Sequence, residues 1–214
     1  MKKISSSALI IAGALFVLNV QKPPVADKAI VKEAQETANA KGKTYKVDLA
    51  TSSLGWTGTK PSGKHNGTIA LSAGSLQVKK DKLLGGNFTI DMNTINNSDL
   101  QGGGKAGLEK HLKSPDFFDV EKFPTATFEI TGVAPIAATQ YIMYEGATHN
   151  ISGNLTMRGV TKNISFPAAV TISGKSLSAT ADFNIDRTEW GINYGSDGKV
   201  AKEINLKLNL SAAR

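Results

Sequence analysis

The sequence predicts an all-β domain, an antiparallel barrel of about eight strands with a short helical lid. Two observations carry the sheet. First, Tyr45, Val47 and Leu49 alternate with Thr44, Lys46 and Asp48, and Phe88, Ile90 and Met92 alternate with Thr89 and Asp91. That period of two gives each strand one apolar and one polar face. It recurs over 127–131, 163–166, 182–186 and 204–210. Second, the runs are separated by Gly, Asn, Asp and Ser rather than by helices of a dozen residues, as a parallel, helix-covered sheet would require. A third observation, one break in the pattern over 96–123, supplies the lid.

The amino terminus is read apart from the barrel. Met1-Lys2-Lys3 and Ile4-Ser5-Ser6-Ser7 precede the apolar run Ala8 to Leu18, the charged start and short apolar middle of a secretory signal. A bilayer-spanning helix needs about 20 apolar residues. Asn19, Gln21, Lys22 and Pro23-Pro24 end this run early, and Val25-Ala26-Asp27 offers a cleavage point after Ala26. Residues 1–26 are therefore expected to be a signal peptide, with an uncleaved anchor as the alternative. Over 27–42 the only large apolar side chains are Ile30 and Val31, which predicts a flexible or weakly helical leader. The folded domain is expected over 43–214.

Strand segments are expected at 44–50, 53–59, 66–73, 75–80, 84–92, 125–133, 139–145, 148–158, 161–172, 176–185 and 200–210, several of them halves of bent strands. Turn candidates are Ser62-Gly63, Asn66-Gly67, Ala73-Gly74, Gly85-Gly86, Ser173-Gly174 and Asp197-Gly198, with Asn66-Gly67 also compatible with a strand. A closed barrel pairs every strand edge without helices to cover it. In the break, Leu108 and Leu112 share one helical face, Pro115 stops the helix, and Phe117-Phe118 adds bulk. This segment is either a loop closing one end of the core or a hydrophobic gate over a cavity.

Composition removes several chemistries. The 214 residues include no Cys, which excludes disulfides, thiol nucleophiles, zinc–thiolate sites and iron–sulfur clusters. Lys+Arg 25 against Asp+Glu 18 gives +7, but residues 1–26 hold Lys2, Lys3 and Lys22 and no acid, leaving 7 − 3 = +4. The densest basic patch, Lys79-Lys80-Asp81-Lys82, has no local aromatic partner, so nucleic acid is not expected. His65, His111 and His149 show no metal-ligand spacing, and no metal is expected. There is no Gly-x-Ser-x-Gly elbow, and Gly102-Gly103-Gly104-Lys105 is not a phosphate loop. Asp186 and Arg187, as strand neighbours, face opposite ways and need not meet. Arg158 and Lys162 are read as either a basic hairpin in solvent or a site for an anionic or carbonyl head group.

Four landmarks in order make the chain recognisable: His111-Leu112-Lys113-Ser114-Pro115-Asp116-Phe117-Phe118-Asp119, Phe123-Pro124-Thr125-Ala126-Thr127-Phe128, Gly153-Asn154-Leu155-Thr156-Met157-Arg158-Gly159-Val160-Thr161-Lys162, and Asp186-Arg187-Thr188-Glu189-Trp190-Gly191-Ile192. Over roughly 43–211 the chain resembles the YceI-like, polyisoprenoid-binding family of bacterial secreted proteins. The resemblance implies a lipocalin-like barrel enclosing an elongated apolar channel for an isoprenoid chain, in the periplasm.

On this reading the protein is not an enzyme. It binds, stores or transports a hydrophobic isoprenoid-like lipid, and burial of the chain gains roughly 25 cal/mol per Å² of apolar surface. The lining residues, chosen from apolar strand phases and the lid, are Trp56, Phe88, Ile90, Met92, Phe117, Phe118, Phe128, Ile164, Phe166 and Phe183. Either Trp56 or Trp190 could present its N–H to a head group, and at most one of Tyr141 and Tyr144 faces the interior. No cofactor is required; an isoprenoid or isoprenoid quinone would be the ligand. A homodimer through an exposed face is compatible with the sequence, and membrane contact is expected only transiently or through an uncleaved amino-terminal segment. The alternative function is a periplasmic stress-response or protein-interaction module without a stoichiometric lipid.

Overall fold

The computed structural model describes residues 22–37, 40–137 and 140–214. Two long strands, β5 (Gly63–Lys79) and β6 (Lys82–Asn97), form one wall of the barrel and follow in the chain the shorter strands β1 (Asp27–Lys28), β2 (Ile30–Glu33), β3 (Lys43–Val47) and β4 (Ser53–Lys60). The β5–β6 register slips between Thr68 and Ala70, Leu71 and Ala73, and Gln77 and Val78. Such bulges bend a strand and raise its twist, which is what curls a sheet into a barrel. They also explain why 66–73 and 75–80 read as separate segments. Asn66-Gly67 lies inside β5: a Cβ on Gly67 would collide with the Asn96 carbonyl and the Trp56 ring.

β3 and β4 share one strand position, both lying between β5 and β11 (Glu203–Ala213). After β6 the chain forms α1 (Gly102–Lys113), then β7 (Thr125–Pro135), β8 (His149–Met157), β9 (Val160–Ser173) and β10 (Ser176–Asp186). One 3₁₀ turn, Arg187–Trp190, follows β10. Antiparallel pairing runs β10, β11, β3/β4, β5, β6, β7, β8, β9, and β9 pairs β10, so eight strand positions close on themselves. Tight reversals sit at Lys80-Asp81 and Arg158-Gly159, where all four residues have positive φ.

The closure is incomplete. β9 and β10 pair only between Ala169–Ser173 and Ser176–Thr180. Beyond Thr180 they splay, and the amino-terminal segment fills the seam, β1 running parallel to β10 and β2 antiparallel to β9. The leader expected to be flexible or weakly helical is thus built into the sheet. Its scarcity of large apolar residues misled because hydrogen bonds and charge hold it. The Asp27 carboxylate accepts from the Met143 and Tyr144 N–H groups at 3.0 and 2.8 Å, Glu33 pairs with Lys162 at 2.7 Å, and Asn184 Nδ2 donates to the Pro24 carbonyl at 3.0 Å.

A second departure concerns 139–145. Its residues 140–145 form no strand; Tyr141 is 88% exposed, and the Tyr144 hydroxyl donates to Thr180 Oγ1 at 2.7 Å. Aromatic residues at a loop anchored on Asp27 imitate a strand pattern locally.

At mid-height four phenylalanines cross the interior. Phe88 and Phe128 stack at 5.2 Å, Phe128 meets Phe166 at 5.7 Å, and Phe166 lies nearly parallel to Phe183 at 3.9 Å. Gly153 makes this layer feasible, since a Cβ there would enter the Phe128 ring.

Candidate ligand-binding cavity

Above the phenylalanine layer is a cavity of about 390 Å³, bordered by residues of β4, β5, β6, β7, β8, β10 and β11, by α1 and by the loop 191–202. Below it a second void measures only about 30 Å³. The rings therefore form a floor, and the interior is one upper chamber rather than a channel along the whole barrel.

Of the ten residues singled out from sequence, Trp56, Ile90, Met92, Phe117 and Phe118 border the chamber. Phe88, Phe128 and Phe166 border the small void from the floor. Phe183 stacks on Phe166, and Ile164 is buried beside the seam, paired with Val31 and Gly153. Neither Phe183 nor Ile164 lines the chamber or the small void. Strand phase separates inward from outward side chains but does not give height along the axis, so floor and chamber look alike in sequence. Leu54, in phase with Trp56, was legible on the same argument; Arg187 and Tyr194, in a turn and a loop, carried no periodic signal.

The lid is held by polar contacts. No residue of α1 is fully buried, and Leu108 and Leu112 face the chamber. At its base the Asn97 N–H donates to Glu109 at 2.7 Å, and Lys105 bonds to Glu109, to Asn96 and to the Asn97 carbonyl. The N–H of Asn97 and the Lys105 ammonium hold the Glu109 carboxyl below its ordinary range. Asp99 joins His65 at 2.8 Å and accepts from the Asn66 N–H and Asn97 Nδ2 at 2.8 and 2.7 Å. Burial alone would raise the Asp99 carboxyl, but these donors outweigh it and bring the pKa down to about 2.

At the far end of the lid, Phe117 is packed edge-on to His111 at 5.1 Å and against Tyr194 at 5.2 Å. The Arg187 guanidinium stands 5.7 Å over the same ring. Arg187 is 1% exposed and is held by carbonyls: Nε donates to Ala201, Nη1 to Ile192, and Nη2 to Tyr194 and Val200. Burial pushes its pKa below the ordinary value while Asp186 opposes the shift. Asp186 itself accepts from the N–H and hydroxyl of Thr188. The two neighbours do diverge, and Arg187 organises the loop 191–202.

The two tryptophans are also distinguished. Trp190 Nε1 donates to the Leu155 carbonyl at 3.1 Å, whereas buried Trp56 Nε1 finds no acceptor among the described residues. Arg158 is neither a free basic group nor a chamber residue, since it bonds to the Gly191 and Pro115 carbonyls. Tyr141 and Tyr144 do not line the chamber.

The observation that decides the family is the extent of the match: residues 45–212, nearly the whole barrel, fit the YceI-like domain. The chain belongs to the YceI-like family. Proteins named YceI from Salmonella arizonae and Salmonella newport are each 32% identical over 131 residues, covering 59% of this chain and 54% of theirs. The chain thus spans about half the length of the curated relatives it matches. Burkholderia cenocepacia BcnA superposes with a TM-score of 0.58 at 24% identity, covering 78% of this chain and 99% of that one. A domain from Saccharophagus degradans described as polyisoprenoid-binding superposes with a TM-score of 0.56 at 14% identity, covering 79% and 97%. At these identities the two structures establish the YceI-like fold.

Proposed function

We propose that this protein binds a hydrophobic, isoprenoid-like lipid without chemical turnover and carries or stores it. The observation that supports the reading is the lidded apolar chamber of about 390 Å³ above the phenylalanine floor. Its size lies within the roughly 300–1,000 Å³ of small-molecule sites, near the lower end. One end of a chain fits there, with the remainder leaving past the lid. A prenyl chain or a prenylated quinone is the ligand class, periplasm the compartment, and residues 1–26 the export signal that takes the protein there. Transient membrane contact at the lid would load and unload the chamber.

Native mass spectrometry of protein gently isolated from its own envelope tests this, with solvent extraction of any released molecule. A stoichiometric prenyl species is expected. An empty protein under conditions that retain a control lipid carrier would overturn the reading and favour a protein-interaction module.

A further inference from the structure

One histidine on the chamber wall has its ring set by a carboxylate behind it. In the β4–β5 ladder Leu54 stands opposite Ile69, Trp56 opposite Gly67 and Gly58 opposite His65, with no register slip. Residues directly opposite in an antiparallel pair share a face, and the face alternates along each strand. Leu54 and Ile69 are buried and border the chamber. Gly58 and His65 belong to the same phase, point inward as well, and also border it. A Cβ on Gly58 would meet nothing within 4 Å, so open space lies opposite the imidazole ring.

His65 Nδ1 lies 2.8 Å from Asp99 Oδ2. The other Asp99 oxygen accepts from the Asn66 N–H at 2.8 Å and, at 2.7 Å, from Nδ2 of the fully buried Asn97. Against the effect of burial these donors hold the carboxyl near a pKa of about 2, and an ionised carboxylate only accepts. The proton between the two side chains therefore sits on Nδ1, which leaves Nε2 of the neutral ring a bare acceptor. Nε2 is the ring nitrogen farther from the backbone, and it has no hydrogen-bond partner among the described residues. His111, the other histidine of the chamber, is arranged the opposite way. Its Nε2 faces Asp116 at 3.1 Å, and its ring is packed edge-on to Phe117 and Tyr194.

An acceptor on the wall calls for a ligand that donates. Lys60, Arg187 and Lys199 border the same chamber, and among the described residues no carboxylate does. A cationic donor is repelled there, and a neutral hydroxyl is favoured. Resting on the carrier reading, we infer that His65 Nε2 is a head-group subsite for a hydroxyl donor, an alcohol or a phenol on an apolar chain. Asp99 is the positioning residue that fixes its tautomer. Of the ligand classes proposed above, a prenyl alcohol or a reduced quinone carries such a donor, and an oxidised quinone does not. The apolar wall retains a chain; His65 selects the end group it carries.

The test uses the purified full chain at about pH 8, where an ordinary histidine is neutral. Three probes share one alkyl chain and are delivered from cyclodextrin: dodecane, dodecyl methyl ether and dodecanol. Dodecanol is expected to bind roughly five-fold more tightly than the ether, the net worth of about one buried hydrogen bond, and the ether no more tightly than dodecane. In a long-range proton–nitrogen spectrum the His65 signals, identified by their loss in His65→Phe, should show Nδ1 protonated and Nε2 bare. Nε2 should move upfield with dodecanol and stay in place with the ether. His65→Phe should level alcohol and ether. In Asp99→Asn the side-chain oxygen stays with the Asn66 and Asn97 donors, so the amide nitrogen turns to His65 Nδ1 and the ring proton moves to Nε2. That variant should bind the ether as tightly as the alcohol, and both more tightly than dodecane, an exchange of preference that a merely structural Asp99 would not produce. Equal binding of alcohol and ether by the unsubstituted protein, or a proton on its His65 Nε2, refutes the subsite and leaves the carrier reading standing. If none of the three probes binds, the carrier reading fails and the subsite with it.

Discussion

Arg158 donates to the Pro115 carbonyl at 2.8 Å, and its second terminal nitrogen reaches the Gly191 carbonyl at 2.9 Å. One guanidinium thereby fastens the end of the lid to the turn that follows β10. The lid has no other bond of this kind to the 3₁₀ turn among the described residues, and α1 contributes no fully buried side chain. Removing the fastener should loosen the lid without unfolding the barrel.

Arg158→Ala is therefore expected to speed amide exchange at Phe117, Phe118 and Val120, whose N–H groups bond within the lid, and to speed release of any bound chain. Global stability should fall by only about 1 kcal/mol, the worth of contacts that solvent can partly replace. Exchange rates equal to those of the unsubstituted protein would show that Phe117 packing alone keeps the lid shut.

The Arg187 substitution should behave in the opposite manner. Its guanidinium ties four carbonyls that no backbone donor claims in its place. Arg187→Met has similar reach but no donors, so it strands those carbonyls in a buried site. A loss of about 3 kcal/mol is expected from urea unfolding. Arg187→Lys should recover little, because one ammonium cannot span carbonyls on both sides of the loop. Full rescue by lysine would mean that charge rather than the planar fork matters.

Stability should also fall on the acid side through Asp99. Its carboxyl titrates near 2 in the folded protein against an ordinary 3.8. A depressed value means the folded state favours the ionised form, so the stabilisation is fully present above about pH 4. It is lost as the pH falls through about 2. Asp99→Asn should lower stability at pH 6 and flatten the part of the decline between pH 4 and 2 that this group contributes. Glu109, Asp48 and Asp197 also have lowered values, so some acid dependence remains. A variant with the parent's slope throughout that window would refute the role of Asp99 at the lid base.

How much of this was legible beforehand follows from the range of each interaction. Alternation exposed the barrel, because a period of two is written in neighbouring residues: Phe88, Ile90 and Met92 all point inward as read. The same signal could not separate Ile90, in the chamber, from Phe88, in the floor. That division depends on Phe128, Phe166 and Phe183 arriving from three other strands, and on Gly153 leaving room for a ring. Arg187 escaped because its partners are backbone carbonyls, which every residue has and no sequence displays. The leader was misread for a related reason, since its largest anchors are an Asp27 carboxylate and a ladder of peptide groups. Glycine proved an ambiguous marker: Gly67 and Gly153 serve close packing inside strands, whereas the reversal at Lys80-Asp81 has none.

The seam yields the last prediction. Between Thr180 and Asp186, β10 has β1 beside it instead of β9, and between Lys162 and Ser165 β9 has β2. These stretches lie at the level of the chamber, with Ile185 on its wall. Deleting residues up to Gln35 in the purified protein would expose two strand edges there and strand the Met143 and Tyr144 N–H groups that Asp27 now satisfies. Amides of 162–165 and 183–184 should lose exchange protection, while β5 and β6 keep theirs. Stability should fall by about 2 kcal/mol or more, and dodecanol should enter and leave faster through the opened side. Unchanged protection at 162–165 would show that β9 and β10 can close the seam alone. In that case the amino-terminal strands only cover a barrel that is already complete.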